Sequence, residues 1–322
     1  PIQLLYLLFF FCQAGFFLVG LAFLVFAFSM SLDSSFLFSP NTVNLSPLQE
    51  NSMIKLSIAI PTYNRALFLI ETLIHIMPQL QDEVEIVVSD NFSGPEVKAV
   101  VDEFNDQRIK YIRTPDRLGM AENYEYAINN SSGEWVAIIG DDDGLLPNAA
   151  DKFFALADKH PDIKAITCAN CFYRWPINGG EPKLSIISGT GYEIRDSKKA
   201  TLDAVTGKPV SQPTIYTGGF VHRSIIDKAQ ALSPNGKFFQ SINPDMYSGM
   251  AICALTDKYI YSWEAWAIAG ISKHSTGMAH KGITKEQIKQ LDFHKENANE
   301  FHPMLGRSEI ACVGSPLVYL YE

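Results

Sequence analysis

The stretch Trp135-Val-Ala-Ile-Ile-Gly-Asp-Asp-Asp143 decides how this chain folds. A short apolar run closed by glycine has the pattern of a strand buried on both faces of a parallel sheet. The three acids then stand where that strand emerges, at its carboxyl end, which is where open α/β sheets bind their ligands. Adjacent carboxylates repel one another, and burying them without a compensating positive charge is costly. A hard divalent cation shared with phosphate oxygens suits such a cluster. An acidic cap for the loop before Pro147 is the blander reading, and it leaves the repulsion unanswered.

Outward from this run the pattern alternates. The spacing predicts strands over Lys55 to Ile60, ended by Pro61, and over Val84 to Val88, Ile109 to Arg113 and Trp135 to Ile139. Between them, helices are expected over Leu67 to Met77, with Leu69, Leu73, Ile76 and Met77 on one face, about Pro95 to Phe104, and Ala121 to Ile128. Pro147 is expected to open a further helix through Ala157. Strand–helix alternation at this spacing means βαβ units and a parallel sheet. Beyond His160 the regularity weakens: Ile163 to Tyr173 and Thr214 to Val221 read as strands, Asp245 to Leu255 as a helix. A regular first half and an irregular second half suggest nucleotide binding first and acceptor recognition later.

The 322-residue chain carries 35 acids against 26 Lys and Arg, a net charge of −9. An acidic chain without basic clusters argues against a nucleic-acid partner. A phosphorylated ligand must then find its positive charge locally, from a metal or a few basic side chains. The five cysteines are few and odd in number, which does not suggest a disulfide framework. Cys168-Ala-Asn-Cys171 has the spacing of half a zinc site, but no second pair accompanies it.

Residues 1–32 contain no charged residue and no histidine, and Leu4 to Phe28 is almost wholly apolar, long enough to span a bilayer. A transmembrane helix is expected there, joined by a linker over 33–52. The chain starts at Pro1, and Met53 stands just before the first strand. Residues 1–52 are therefore alternatively read as a fragment of a longer membrane protein or as non-native upstream sequence.

The familiar nucleotide cradles are absent. A dinucleotide-binding sheet needs G-x-G-x-x-G after the first strand, and here that position reads Pro61-Thr-Tyr-Asn-Arg-Ala66. No P-loop is present, and the acids follow the fourth strand rather than the first. Metal-mediated phosphate binding remains.

Three motifs in order, Ile58-Ala-Ile-Pro-Thr-Tyr-Asn-Arg65, Val87-Val-Ser-Asp-Asn-Phe-Ser93 and Gly133-Glu-Trp-Val-Ala-Ile-Ile-Gly-Asp-Asp-Asp143, resemble glycosyltransferase family 2 over Leu56 to about Phe154. The resemblance implies a GT-A fold: an α/β domain over 53–305 with a mostly parallel sheet flanked by helices. Residues 53–160 would form a Rossmann-like nucleotide-sugar half and 161–305 the acceptor side, leaving 306–322 as a tail. It also implies a nucleotide-diphosphate sugar donor, a UDP-sugar first, with Mg²⁺ or Mn²⁺ as cofactor and inverting transfer to a hydroxyl of a glycan or lipid-linked acceptor. Pro61 and Tyr63 would line the base pocket, and Asp90 would accept a hydrogen bond from the base. Asp141 to Asp143 would be the DXD-type element, with Asp142 as the direct metal ligand, Asp141 toward the ribose and Asp143 supporting the metal. By analogy with the family, the setting is bacterial surface-polysaccharide synthesis at the inner membrane, with the catalytic domain in the cytoplasm. Without residues 1–52, the expected location is the cytoplasm itself.

In that family the catalytic base lies roughly a hundred positions after the metal motif, at the start of a helix, and Asn243-Pro-Asp-Met246 supplies Asp245 there. A carboxylate so placed can take the acceptor proton. The polar, Gly-bounded loop Gly270 to His280 is expected to close over the diphosphate, with His274 or Lys273 reaching the metal site. Two rivals remain open: a nucleotidyltransferase, and a non-catalytic membrane-tethered sugar or nucleotide binder.

Overall fold

The computed structural model describes residues 53–176, 180–241, 243–273 and 275. The apolar N-terminal segment, the linker over 33–52, His274 and the tail 306–322 lie outside them. Among the described residues, no helix is long and apolar enough to cross a membrane.

The sheet begins as the sequence foretells. β1 (Leu56–Thr62), β2 (Val84–Asp90), β3 (Ile109–Arg113) and β4 (Trp135–Ile138) alternate with α1 (Ala66–Ile76), α2 (Pro95–Phe104) and α3 (Met120–Asn129). They lie side by side in the order β3-β2-β1-β4, all parallel. Alternation along β1 sends Leu56, Ile58 and Ile60 to one face, where they meet Leu69, Leu73 and Ile76 of α1 and Val97 of α2. It sends Ala59 to the other face, against α3. Each such Leu or Ile, taken wholly out of water, contributes roughly 1.5–3 kcal/mol. All four residues expected on the inner face of the first helix are buried.

Three expectations need correcting. β1 does not end at Pro61 but runs through it, Pro61 pairing with Ser89. In a parallel ladder successive residues address opposite neighbours, and Ala59 and Pro61 face β4, whose ladder with β1 ends at Ile138. The missing proline N–H therefore costs no ladder bond. Pro147 does not open α4 (Ala149–Lys159). Asn148 intervenes in the left-handed region, φ 63°, so the helix starts after it. Of Thr214 to Val221 only the end is strand, β9 (Gly219–His222), because Gly218 at φ 89° turns the chain first.

The second half is more regular than its sequence. β5 (Gly144–Leu145), β6 (Ala165–Arg174), β7 (Lys183–Ser185), β8 (Tyr192–Asp196) and the long β10 (Lys258–Ile271) extend the sheet. α5 (Ser197–Val205), α6 (Arg223–Leu232) and α7 (Pro244–Leu255) cover it. β9 is antiparallel to both β4 and β6, so β6 runs the same way as β4, and β10 is parallel to β6. The carboxyl ends of β1, β2, β4, β6 and β10 therefore share one edge. Trp266, in β10, is core at 2% exposure, whereas Trp263 is 46% exposed. Cys168 and Cys171 pack into opposite faces of the sheet, which rules out a shared zinc.

Candidate active site

The chain passes from β1 outward to β2 and β3, then returns to the other side of β1 as β4. The crevice between the carboxyl ends of β1 and β4 is thus a topological switch point, where such sheets bind ligands. Pro61 to Arg65 leave β1 into it, and Gly140 to Asp143 leave β4 into it.

All three acids are buried, Asp141 at 2% exposure and Asp142 and Asp143 at 6%. The positive charge they require is Arg65. Its guanidinium donates to Asp141 Oδ1 at 2.9 Å and to Asp142 Oδ2 at 2.7 Å, and rests on the Phe68 ring. Thr62 adds a hydroxyl to Asp141 Oδ2 at 2.6 Å. Asp143 is engaged on both oxygens: Oδ2 accepts from the Gly140 amide at 2.7 Å and from the Thr217 hydroxyl, Oδ1 from the Gly270 amide at 2.7 Å. Burial and the Asp142 charge push the Asp143 carboxyl up to about 6. Burial pushes Asp141 up to about 7, Arg65 working against the rise.

Asp142 differs from its neighbours. Its Oδ2 accepts from Arg65 and, at 3.1 Å, from Ser275, while no described group donates to Oδ1. An ion of the Mg²⁺ type needs only one or two protein carboxylates when substrate phosphates and water complete its shell. The donor set fits such an ion with Asp142 as ligand and Asp143 as its bracket. Among the described residues, no three His, Cys, Asp or Glu side chains form a cage, so an ion here would depend on the phosphates. Arg65 Nε, buried and without a described acceptor, leaves a spare donor beside them.

The end of β10 packs directly on this motif. A Cβ at Gly270 would overlap the Asp142 carbonyl, so only glycine lets the strand come so close. Trp175, just past β6, donates Nε1–H to the same carbonyl at 3.0 Å. Ser272 accepts from Arg65 at 3.0 Å. The loop expected to close over the site thus begins beside Asp142; Lys273 is exposed there, and His274 is outside the described residues. Gly270→Ala should lower stability by about 1–3 kcal/mol, as overpacking does, and thermal denaturation reads it. A wild-type melting curve would show that the strand has room to shift.

At the β1–β2 end, Tyr63 is 40% exposed and the Arg117 guanidinium stacks 3.1 Å from its ring centroid. Pro61 is partly buried. Asp90 is fully buried: Oδ1 accepts from the Ser93 amide at 2.8 Å, Oδ2 from the Tyr111 hydroxyl at 2.5 Å and Arg113 at 2.9 Å. A base could reach Asp90 only by using its remaining lone pairs, with Arg113 or its stacking partner Phe92 moving aside.

On the other flank, Asp245 lies in the first turn of α7, partly buried. Burial raises its pKa, against hydrogen bonds from the Met246 amide and its own. Between it and the triplet stand Tyr124 and Tyr216, stacked with ring centroids 6.0 Å apart. Burial and then Asp245 and Asp143 hold the Tyr124 hydroxyl protonated. A side chain at Gly140 would crowd the Tyr216 hydroxyl. Of the residues nominated from sequence, the acid triplet lies in the β1–β4 crevice, Pro61, Tyr63 and Asp90 at its β1–β2 end and Asp245 on the other flank, while His274 is outside the described residues. Arg65, Arg117, Trp175, Thr217 and the tyrosine pair were not foreseen.

The family model for glycosyl transferase family 2 matches residues 57–206, a span holding both strand ends that carry the triplet and Arg65. This region belongs to glycosyltransferase family 2. The chain is 34% identical over 159 residues to a GalNAc(5)-diNAcBac-PP-undecaprenol beta-1,3-glucosyltransferase of Campylobacter jejuni, covering 48% of this chain and 49% of that one. It is 25% identical over 111 residues to the glycosyltransferase GlyG of Streptococcus pneumoniae, covering 34% and 37%. The chain therefore spans half or less of these relatives' length. Its fold is like that of residues 1–349 of TarS from S. aureus, solved with UDP-GlcNAc, at a TM-score of 0.52 and 16% identity over 79% of this chain and 72% of that 1–349 chain. The shared fold is GT-A.

Proposed function

We propose that this chain transfers a sugar from a nucleotide-diphosphate sugar to an acceptor hydroxyl, with inversion and with a divalent cation. The observation that carries this reading is the switch-point crevice, where one carboxylate, Asp142, keeps an open oxygen beside a spare arginine donor. The names of its relatives support the substrate classes: a UDP-sugar donor as held by TarS, and a lipid-linked glycan acceptor as in the Campylobacter enzyme. Surface-glycan synthesis is the matching setting. Nucleotide sugars are made in the bacterial cytosol, so we place the catalytic domain on that side, with the apolar N-terminus at the inner membrane.

Tyr63, on the ring face away from Arg117, and Pro61 receive the base, and Asp90 orients that pocket through Arg113 and its own remaining lone pairs. Asp141 fixes Thr62 and Arg65 below the ribose and diphosphate. Asp142 is the metal ligand, Asp143 the support that ties the motif to β10, and His274 a candidate further ligand from the loop. Bound Mg²⁺ or Mn²⁺ would neutralise the departing diphosphate. Asp245, ionised, removes the proton from the acceptor hydroxyl as it attacks the anomeric carbon, from the face opposite the leaving group.

The test is incubation with UDP-glucose, UDP-GlcNAc, UDP-GalNAc and their GDP- and dTDP-linked counterparts, with Mn²⁺ or with EDTA, following slow donor hydrolysis. One donor should be cleaved in Mn²⁺ and spared in EDTA. Asp142→Asn should slow that cleavage by roughly 10²–10³-fold, the usual scale for losing one electrostatic group at a reacting centre, with the fold intact. Release of free nucleoside diphosphate at equal rates with and without metal would end the metal-dependent reading. Release of pyrophosphate in a parallel incubation with a nucleoside triphosphate and a sugar 1-phosphate would favour a nucleotidyltransferase instead.

A further inference from the structure

A pocket of about 220 Å³ opens between the first turn of α3 and the segment leading to Asp245, lined by Glu122, Asn235, Lys237, Phe239, Gln240 and Ser241. It lies at the catalytic edge of the sheet, because α3 follows the carboxyl end of β3 and Ser241 precedes Asp245 by four residues. Its lining is packed onto the tyrosine pair of the crevice: Phe239 meets Tyr124 edge-on at 5.8 Å, and Tyr124 stacks on Tyr216.

The wall is held from behind. The buried Glu125 carboxylate accepts from the Phe238 and Phe239 amides at 2.9 and 3.1 Å and from Gln230 at 2.7 Å. Gln240 Nε2 donates to the Lys237 carbonyl at 2.6 Å and to Ser233 at 2.9 Å. Asn235 Oδ1 accepts the Lys237 amide at 3.0 Å. These bonds commit Asn235 and Gln240 to the loop itself. What remains for a ligand is Lys237, Glu122 and the Ser241 hydroxyl, whose proton goes to no described group. Lys237 and Glu122 pair at 3.2 Å, so the pocket offers donors and acceptors without net charge. Its volume lies below the roughly 300–1,000 Å³ of pockets that enclose drug-sized ligands. That is room for one ring rather than for a nucleotide.

We propose that this pocket is an acceptor subsite for a single neutral, hydroxyl-bearing sugar ring. The inference rests on the glycosyl-transfer reading above. Saturation-transfer NMR on the full chain tests it, with methyl glucoside, methyl galactoside and methyl N-acetylglucosaminide as probes and glucuronate and glucose 6-phosphate as anionic controls. At least one neutral glycoside should bind, and Ser241→Ala or Lys237→Met should weaken it about tenfold, the loss of one hydrogen bond to a desolvated hydroxyl. Both variants should keep wild-type melting and donor hydrolysis. Silence of all neutral probes on the wild type, unchanged affinity in both variants, or tighter binding of the anionic sugars would each overturn the proposal. Donor hydrolysis intact alongside such a result would leave the transferase reading standing, because probe binding needs no donor.

Discussion

Asp245→Asn is expected to lower turnover by roughly 10²–10⁴-fold, the range for removing a general base, with donor affinity nearly unchanged. Asparagine keeps the shape and the helix N-terminal position but cannot accept the acceptor proton. The pH profile sharpens the test. Burial raises the Asp245 pKa above the ordinary carboxylate value, and the ionised form is the active one. Turnover should therefore fail on acidification at a higher pH than an exposed aspartate would impose, and rise as pH climbs through that raised value. In Asp245→Asn the part of the acid limb that Asp245 imposes should be lost from the residual rate, leaving only what Asp141 and Asp143, also raised by burial, contribute. Wild-type turnover in the variant, or an unaltered acid limb, would move the base elsewhere.

Arg65→Ala is expected to destabilise the fold by about 3–5 kcal/mol, the scale for removing one partner of a buried ion pair. The guanidinium meets two of three adjacent buried acids and reaches Ser272, while standing 22% exposed. Without it, Asp141 and Asp142 face each other and Asp143 with only neutral hydrogen bonds. At about 2–4 °C per kcal/mol in a domain of this size, melting should fall by on the order of 10 °C. A divalent cation can take over part of that role, so Mn²⁺ should raise the variant's melting temperature more than the wild type's. A variant that melts like the wild type would mean that water, rather than Arg65, balances the triplet.

The parallel half of the fold was legible because its strands carry apolar runs of the right length and its first helix shows its inner face in Leu69, Leu73 and Ile76. Of the second half only β6 and α7 were, read as Ile163 to Tyr173 and Asp245 to Leu255. β9 hides behind the Gly218 turn, and β7 and β8 are short and exposed, so neither carries a hydrophobic period. The triplet was visible as an electrostatic anomaly, and that anomaly called for a local cation. Arg65 stood in the quoted Pro61–Ala66 stretch, yet its partners lie far along the chain, across the β1–β4 switch. Gly270 and Trp175 are further from legible: each matters only because β6 and β10 end beside Asp142, which register alone decides. Tyr63 and Asp90 were nominated by resemblance, and Arg117 and Arg113, which accompany them, carry no local signal of that task.

Binding of UDP to the wild-type chain by calorimetry, with Mn²⁺ and again in EDTA, tests the central claim most directly. The expected result is affinity at least tenfold higher with Mn²⁺, a gain of about 1.4 kcal/mol, and loss of that gain in Asp142→Asn. Equal affinity with and without the metal, or a metal effect that survives Asp142→Asn, would contradict it.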